Sequence, residues 1–194
     1  MEFIAHRINT LEELEKVPKK YGVEIDLRDF GNRLILQHDP FKDGLDFEEY
    51  LKHYNHGIII LNIKSERIEY RVLELIKKYN VKKYFFLDSS FPMIYNISRE
   101  GNNNIALRFS EFEGIDTILN LRGKVEWVWV DCFTILPINH EIFTLLKDNG
   151  FKICLVSPDL QGKEDKIEVY KKYLSDNNIF FDLICSKLYN ISRW

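Results

Sequence analysis

The chain has 194 residues, a formal net charge of −3, 45% hydrophobic residues and 29% charged ones. These values describe a soluble globular protein with room for a sizeable core, read as a single domain over residues 1–194. The near-neutral balance gives no electrostatic case for a nucleic-acid partner.

The N-terminus MEFIAHR lacks a long apolar stretch, and no run reaches the ~20 apolar residues that span a bilayer. A membrane partner is therefore not expected, and the cytoplasm is the default location. The first strand is predicted at FIAH. TLEELEKVPKKY follows as a helix, with Thr10 as N-cap and Glu13 three residues later in a capping-box pattern. VEIDL reads as the second strand, and NRLILQHD as a short strand-like stretch that folds back over the end of the sheet. GIIILNIK is next. RIEYRVLELIKKYN then carries Ile68, Val72, Leu75 and Ile76 at helical spacing and ends in lysines, as suits a helix C-terminus. KKYFFLD, NIALRF and VEWVWVD are further strands; HEIFTLLKDNG is a helix closing on Gly150. KICLVS, the helical DKIEVYKKYLSDNN and the strand FDLICS complete the chain.

Most of these strands are nearly continuous apolar runs, as expected of parallel strands buried on both faces. Eight strands with helical connections predict a compact α/β fold, a (β/α)8 TIM barrel smaller than the usual ~250 residues. An open doubly wound sheet is the alternative, although no glycine-rich dinucleotide fingerprint follows the first strand. There is no internal repeat, and GNNN at 101–104 reads as an ordinary turn. Aromatics make up 14% of the chain and sit mainly in apolar runs, so core packing explains them better than base stacking does. Cys132, Cys154 and Cys185 lie in strand-like text without metal-finger spacing and read as buried free thiols.

In such a barrel, functional groups belong at the C-terminal ends of strands. His6 and Arg7 stand where the first strand ends. Glu24 and Asp26 are two apart on the second strand, so their side chains share a face and can converge on a hard cation such as Mg2+ or Ca2+. Asn62 and Lys64 form a second two-apart pair, an amide oxygen for the metal and a cation for developing phosphate charge. His38 closes the set, since two imidazoles flanking a phosphate can act as general base and general acid. Taken singly, each residue has a plainer reading. His6 can be a hydrogen-bonded structural histidine, HDP a turn, and Lys64 a strand-end lysine reaching to solvent. Arg108 is read either as holding a phosphate oxygen or a substrate carboxylate, or as a surface cation. Asp88 ends the fourth strand and is a candidate further carboxylate. Trp127, Trp129 and Asp131 alternate along the sixth strand, where core filling or contact with a sugar or glycerol moiety is open.

Together, His6-Arg7, Asn9-Thr10-Leu11, Glu24-Ile25-Asp26 and His38-Asp39 resemble the HR(G), NTL, E-x-D and HD motifs of the glycerophosphodiester phosphodiesterase family, within the phosphatidylinositol-phospholipase-C-like superfamily of barrels. LNIK resembles that family's E-x-K strand, SSFPMIYNI its fourth βα unit, and FDLICS its last strand. The likeness is dense over residues 1–97 and thin beyond. It implies a phosphoric diester hydrolase acting on a small-molecule phosphodiester, with His6 and His38 as the acid–base pair. Arg7 and Lys64 would contact the phosphate, and Glu24 and Asp26 would bind a divalent cation. Three departures stand out. The glycine after HR is missing, with Ile8 alone before Asn9, and Asn62 replaces the glutamate. Only twenty-three residues separate His38 from Asn62, with no room for the subdomain usually inserted there. Two alternatives remain: a catalytically weakened barrel that binds a phosphorylated ligand, and a phospholipase-D/C-like enzyme that cleaves lipid head groups. The oligomeric state is open.

Overall fold

A computed structural model describes residues 1–194. Its strands are β1 (Glu2–Ala5), β2 (Gly22–Phe30), β3 (Arg33–Leu36), β4 (Leu45–Asp46), β5 (Ile59–Ile63), β6 (Tyr84–Leu87), β7 (Ala106–Phe109), β8 (Trp127–Val130), β9 (Lys152–Val156) and β10 (Leu183–Ser186). The helices are α1 (Leu11–Lys16), α2 (Phe47–His53), α3 (Glu69–Lys78), α4 (Phe91–Arg99), α5 (Asp116–Asn120), α6 (His140–Asp148) and α7 (Ile167–Asp176).

Eight strands form a ring of parallel neighbours. β1 pairs with β10 and β2, β2 with β5, and β5 with β6. On the other side β10 pairs with β9, β9 with β8, and β8 with β7. The ring closes at a parallel bridge between Phe86 and Ile105, where the Phe86 N–H donates to Asn104 O at 2.9 Å. Closure leaves no edge within the ring, so the open-sheet alternative is set aside. Gly22 sits where strands approach closely; a Cβ there would lie 2.3 Å from Ile58 O.

All eight predicted barrel strands are present, and the stretch NRLILQHD does fold back. β2 runs beyond the ring, and β3 returns antiparallel along it, pairing Leu27 with Leu36 and Phe30 with Arg33. The segment after it holds a helix without a sequence-based expectation, α2, whose N-cap Asp46 accepts from Glu48 N and Glu49 N. Phe47 and Tyr50 of α2 are fully buried against the outer face of the sheet. SSFPMIYNI contributes α4, with a proline in its first turn, the position that tolerates a missing N–H. The capping box at Thr10 and Glu13 is formed in both directions. Gly150 lies one residue past the C-cap Asn149 of α6 at φ 83, a left-handed conformation that glycine adopts without penalty.

Alternation along each strand sorts the side chains. Val23, Ile25 and Leu27 point outward into a layer shared with the helices, while Glu24 and Asp26 point into the ring. The lower interior is apolar and filled. Phe85 and Trp127 stack at 4.7 Å, with Trp129, Cys154 and Cys185 packed in the same cluster. Both tryptophans are therefore core residues. The three cysteines are free and buried, and burial pushes their thiols up, Cys132 to about 12. Each large apolar side chain so buried stabilises the fold by roughly 1.5–3 kcal/mol. That layer offsets a polar ring at the C-terminal mouth, where charged groups are held out of water. No helix is long and apolar enough to cross a membrane.

Candidate active site

The polar ring begins where β1 ends. His6 N–H donates to Ser186 O at 2.9 Å, which fixes the chain as it leaves the strand. Arg7 then takes φ 56, a left-handed backbone unusual for a side-chain-bearing residue and costing about 1–3 kcal/mol. This turn aims the Arg7 N–H at Glu24 Oε2, 2.7 Å away, and brings Arg7 Nε to 3.4 Å from Asp26 Oδ2. It also places His6 Nε2 3.7 Å from Glu24 Oε2. Burial first, and the neighbouring Arg7 charge second, lower the His6 pKa to about 4. The ring is thus neutral at physiological pH and able to accept a proton.

Glu24 and Asp26 are both 1% exposed. Burial, then the adjacent Asp26 charge, push the Glu24 carboxyl up to about 7, against the opposing pull of the Asn62 hydrogen bond. Asn62 Nδ2 donates to Glu24 Oε1 at 2.7 Å, across the β2–β5 ladder that aligns Asp26 with Asn62. Asn9 holds Asp26 twice: its Nδ2 donates to Asp26 Oδ2 and its Oδ1 accepts from Asp26 N, each at 2.9 Å. Lys64 Nζ stands 3.8 Å from Asp26 Oδ1.

Two oxygens in this group, Asp26 Oδ1 and Asn62 Oδ1, are buried without a hydrogen-bond partner. Such atoms are costly to leave unsatisfied. Hard oxygen donors from two carboxylates and an amide suit Mg2+ or Ca2+. No set of three His, Cys, Asp or Glu side chains clusters at metal-binding spacing anywhere in the chain, so the set reaches three only through the Asn62 amide. The unpartnered oxygens and the raised Glu24 carboxyl fit a cation here.

His38 reaches the same mouth by a different route. Gln37 N–H donates to Asp26 O at 3.0 Å, and Arg28 donates to His38 O at 3.0 Å, so the hairpin return sets His38 one residue from the level of Asp26. Its Nδ1 is 2.9 Å from Asp39 Oδ1, leaving Nε2 without a protein partner. Hydrogen bonds from His38 and then Lys42 lower Asp39 to about 2.

The opposite arc of the mouth is a network that sequence patterns only partly exposed. Asp88 adopts φ 61 directly after β6, which swings its carboxylate toward the ring. Arg108 grips it in a fork, Nε to Oδ1 at 2.7 Å and Nη2 to Oδ2 at 2.9 Å, and Lys64 donates to Oδ2 at 3.1 Å. Burial opposes ionisation of Asp88, but Arg108 and Lys64 outweigh it and its pKa is lowered. Arg108 also bonds Asp131, which in turn accepts from Gln161 Nε2 at 2.9 Å. Arg108 is thus held between two carboxylates, and Asp88 is engaged by two cations. Asp159 had no periodic signal, since it lies in a short 3-10 turn after β9. It is fully buried and accepts from Ser186 Oγ, Lys187 N and Asn190 Nδ2, each at 3.0 Å.

Neither a protein-family model nor a curated protein matches the sequence. Solved structures do. A putative glycerophosphoryl diester phosphodiesterase from Agrobacterium tumefaciens superposes with a TM-score of 0.67 at 11% identity, over 95% of this chain and 92% of that one. A glycerophosphodiester phosphodiesterase from the same organism gives 0.65 at 12% identity, over 97% of both chains. A glycerophosphoryl diester phosphodiesterase from Parabacteroides distasonis gives 0.68 at 16% identity, over 99% of this chain and 85% of that one. Likeness at this level of identity establishes a shared fold, the TIM barrel.

Proposed function

We propose that this chain is a metal-dependent phosphoric diester hydrolase of the glycerophosphodiester phosphodiesterase family, acting on a small phosphodiester. One observation carries the reading: His6, Glu24, Asp26, Asn62 and Lys64 converge at the mouth of a closed barrel, with Asp26 Oδ1 and Asn62 Oδ1 buried and without a hydrogen bond. The three superposed structures bear names from the same family.

Glu24, Asp26 and Asn62 would hold Mg2+ or Ca2+. When bound, the ion neutralises phosphate charge and makes the phosphorus more electrophilic. Arg7 and Lys64 bind the non-bridging phosphate oxygens and orient the diester. Neutral His6 takes the proton of the attacking group, a water or a hydroxyl adjacent to the phosphate. His38, oriented through Nδ1 by Asp39, delivers a proton from Nε2 to the departing alcohol. Arg108 positions Lys64 indirectly, through the Asp88 carboxylate that both cations share.

His6→Ala and His38→Ala are each expected to lower turnover of glycerophosphocholine in Mg2+ or Ca2+ by ~10²–10⁴-fold, with circular dichroism unchanged. Wild-type rates in either variant would sink the assignment. A second reading, a barrel that binds a phosphorylated ligand without turnover, is favoured by Asn62, whose Nδ2 already occupies Glu24 Oε1. Calorimetry separates the two: absence of cation binding, together with no turnover on a phosphodiester panel, selects the binding barrel.

A further inference from the structure

Below the stacked layer of Phe85 and Trp127, at the end where the strands begin, the ring opens into a hollow of about 640 Å3. It is lined by the first residues of five strands, Glu2, Tyr84, Trp127, Lys152 and Leu183. Phe143 and Lys147 of α6 and the approach to β10, Phe180 to Asp182, complete much of the wall. None of the lining residues belongs to the polar ring at the other mouth. The volume falls within the span of small-molecule sites, roughly 300–1,000 Å3.

Trp127 is 5% exposed, and its indole Nε1 is buried with no hydrogen-bond partner. A buried donor left unmet is costly. Phe85 stacks on the ring at 4.7 Å, and Lys152 Nζ stands 5.4 Å from its centroid. Those contacts engage the ring system and leave the N–H over. Charge at the rim is also left over. Lys147 pairs with Asp182 at 3.0 Å, and Lys152 with Glu126 at 2.8 Å. Lys82 and Lys83, both exposed, make no ion pair, and Glu2 is the one lining carboxylate outside a pair. The nearest helix C-terminus, that of α3, already carries its own cations in Lys77 and Lys78. Between the free lysines and the indole edge the walls are aromatic: Tyr84, Phe143 and Phe180.

We propose that this hollow binds a planar aromatic anion about the size of a nucleoside monophosphate. The aromatic walls receive the flat ring. Lys82 and Lys83 meet the anionic group as mobile point charges, and Trp127 Nε1 donates to an acceptor on the guest. An apolar guest leaves the indole N–H and both lysines unmet, whereas a bare inorganic anion leaves the aromatic walls unused. The site stands at the opposite end of the barrel from the polar ring and does not rest on the hydrolase reading.

Calorimetry of the whole chain with adenosine monophosphate and with naphthoate distinguishes a phosphate from a carboxylate as the anionic group. Uncharged adenosine and naphthamide are the matched controls. At least one anion is expected to bind about tenfold or more tighter than its control. Lys82→Gln with Lys83→Gln, both at exposed positions, is expected to weaken that binding by about tenfold or more, with circular dichroism unchanged. In an NMR spectrum of isotope-labelled protein, the ligand is expected to shift the indole N–H signal of Trp127, identified by its loss in Trp127→Phe. Absence of binding by both anions at ~1 mM overturns the proposal. Binding that the paired lysine substitutions leave unchanged, or that leaves the Trp127 signal in place, overturns it too, because the anion then sits elsewhere. Competition by glycerophosphocholine overturns it by assigning the anion to the polar ring. Controls that bind as tightly as the anions overturn the charge recognition by Lys82 and Lys83.

Discussion

Asn62→Asp is the most discriminating perturbation of the proposed cation site, because it keeps the side-chain shape and changes only charge and donor capacity. In the protein as described, Asn62 Nδ2 donates to Glu24 Oε1 at 2.7 Å, next to a second buried carboxylate on Asp26. The substitution removes that hydrogen bond, worth about 1.5–3 kcal/mol when one partner is charged. It also adds a third carboxylate beside two others. Two like charges about 4 Å apart repel by about 4 kcal/mol at an effective dielectric near 20, although uptake of a proton relieves part of this. Without a cation, the expected loss is about 2–4 kcal/mol, or a fall in Tm of about 5–15 °C for a chain of this length. With Mg2+ or Ca2+ the sign reverses: the new carboxylate is a charged ligand, and affinity is expected to rise by about tenfold or more. Scanning fluorimetry in chelator and in a cation titration, with calorimetry for affinity, reads both effects. Asn62→Ala is the control, losing the hydrogen bond without gaining affinity. An unchanged Tm in chelator, or a cation affinity no better than wild type, would refute the placement of the site.

Glu24 sets a pH dependence in the cation-free protein. Its folded pKa is raised to about 7 from an ordinary 4.5, so between those values the folded chain holds a proton that the unfolded chain has released. The contribution of this group is therefore full below about pH 4.5 and is lost as pH rises toward 7. Relative to wild type, Glu24→Gln should gain on the order of 3 kcal/mol across that window, followed by urea denaturation in chelator; a pH-independent difference would contradict the buried placement of Glu24. Arg108→Met leaves Asp88 and Asp131 without their shared cation and should destabilise the fold by about 2–4 kcal/mol, measured by chemical denaturation. A change below about 0.5 kcal/mol would show that the forked pairing is not maintained in solution. Thr10→Ala removes the acceptor for Glu13 N and should cost about 1 kcal/mol in the same assay.

Several parts of the protein were legible without tertiary information because the physics that sets them is local. Nearly continuous apolar runs marked most of the eight barrel strands, since a strand covered on both faces is largely apolar. The Thr10–Glu13 spacing wrote the capping box, and the period of two put Glu24 and Asp26 on one face. The cysteines were read as core thiols from their apolar neighbours alone. The gathering of His6, Glu24, Asp26, Asn62 and Lys64 was legible as a motif, and strand pairing turned it into distances.

Other features depend on groups far apart in the chain, and no local pattern encodes them. Ring closure rests on one bridge, Phe86 to Ile105, which decides between a barrel and an open sheet. Arg108, open in sequence between a phosphate-binding role and a surface role, is engaged by Asp88 and Asp131 at separations of 20 and 23 residues. Asp88 faces the ring because its backbone adopts a left-handed turn that composition does not announce. Residue order determined which faces are apolar and which groups can share a strand. Only the folded chain decided which charges neutralise one another and which surfaces stand together, because those energies depend on distances set by closure of the ring.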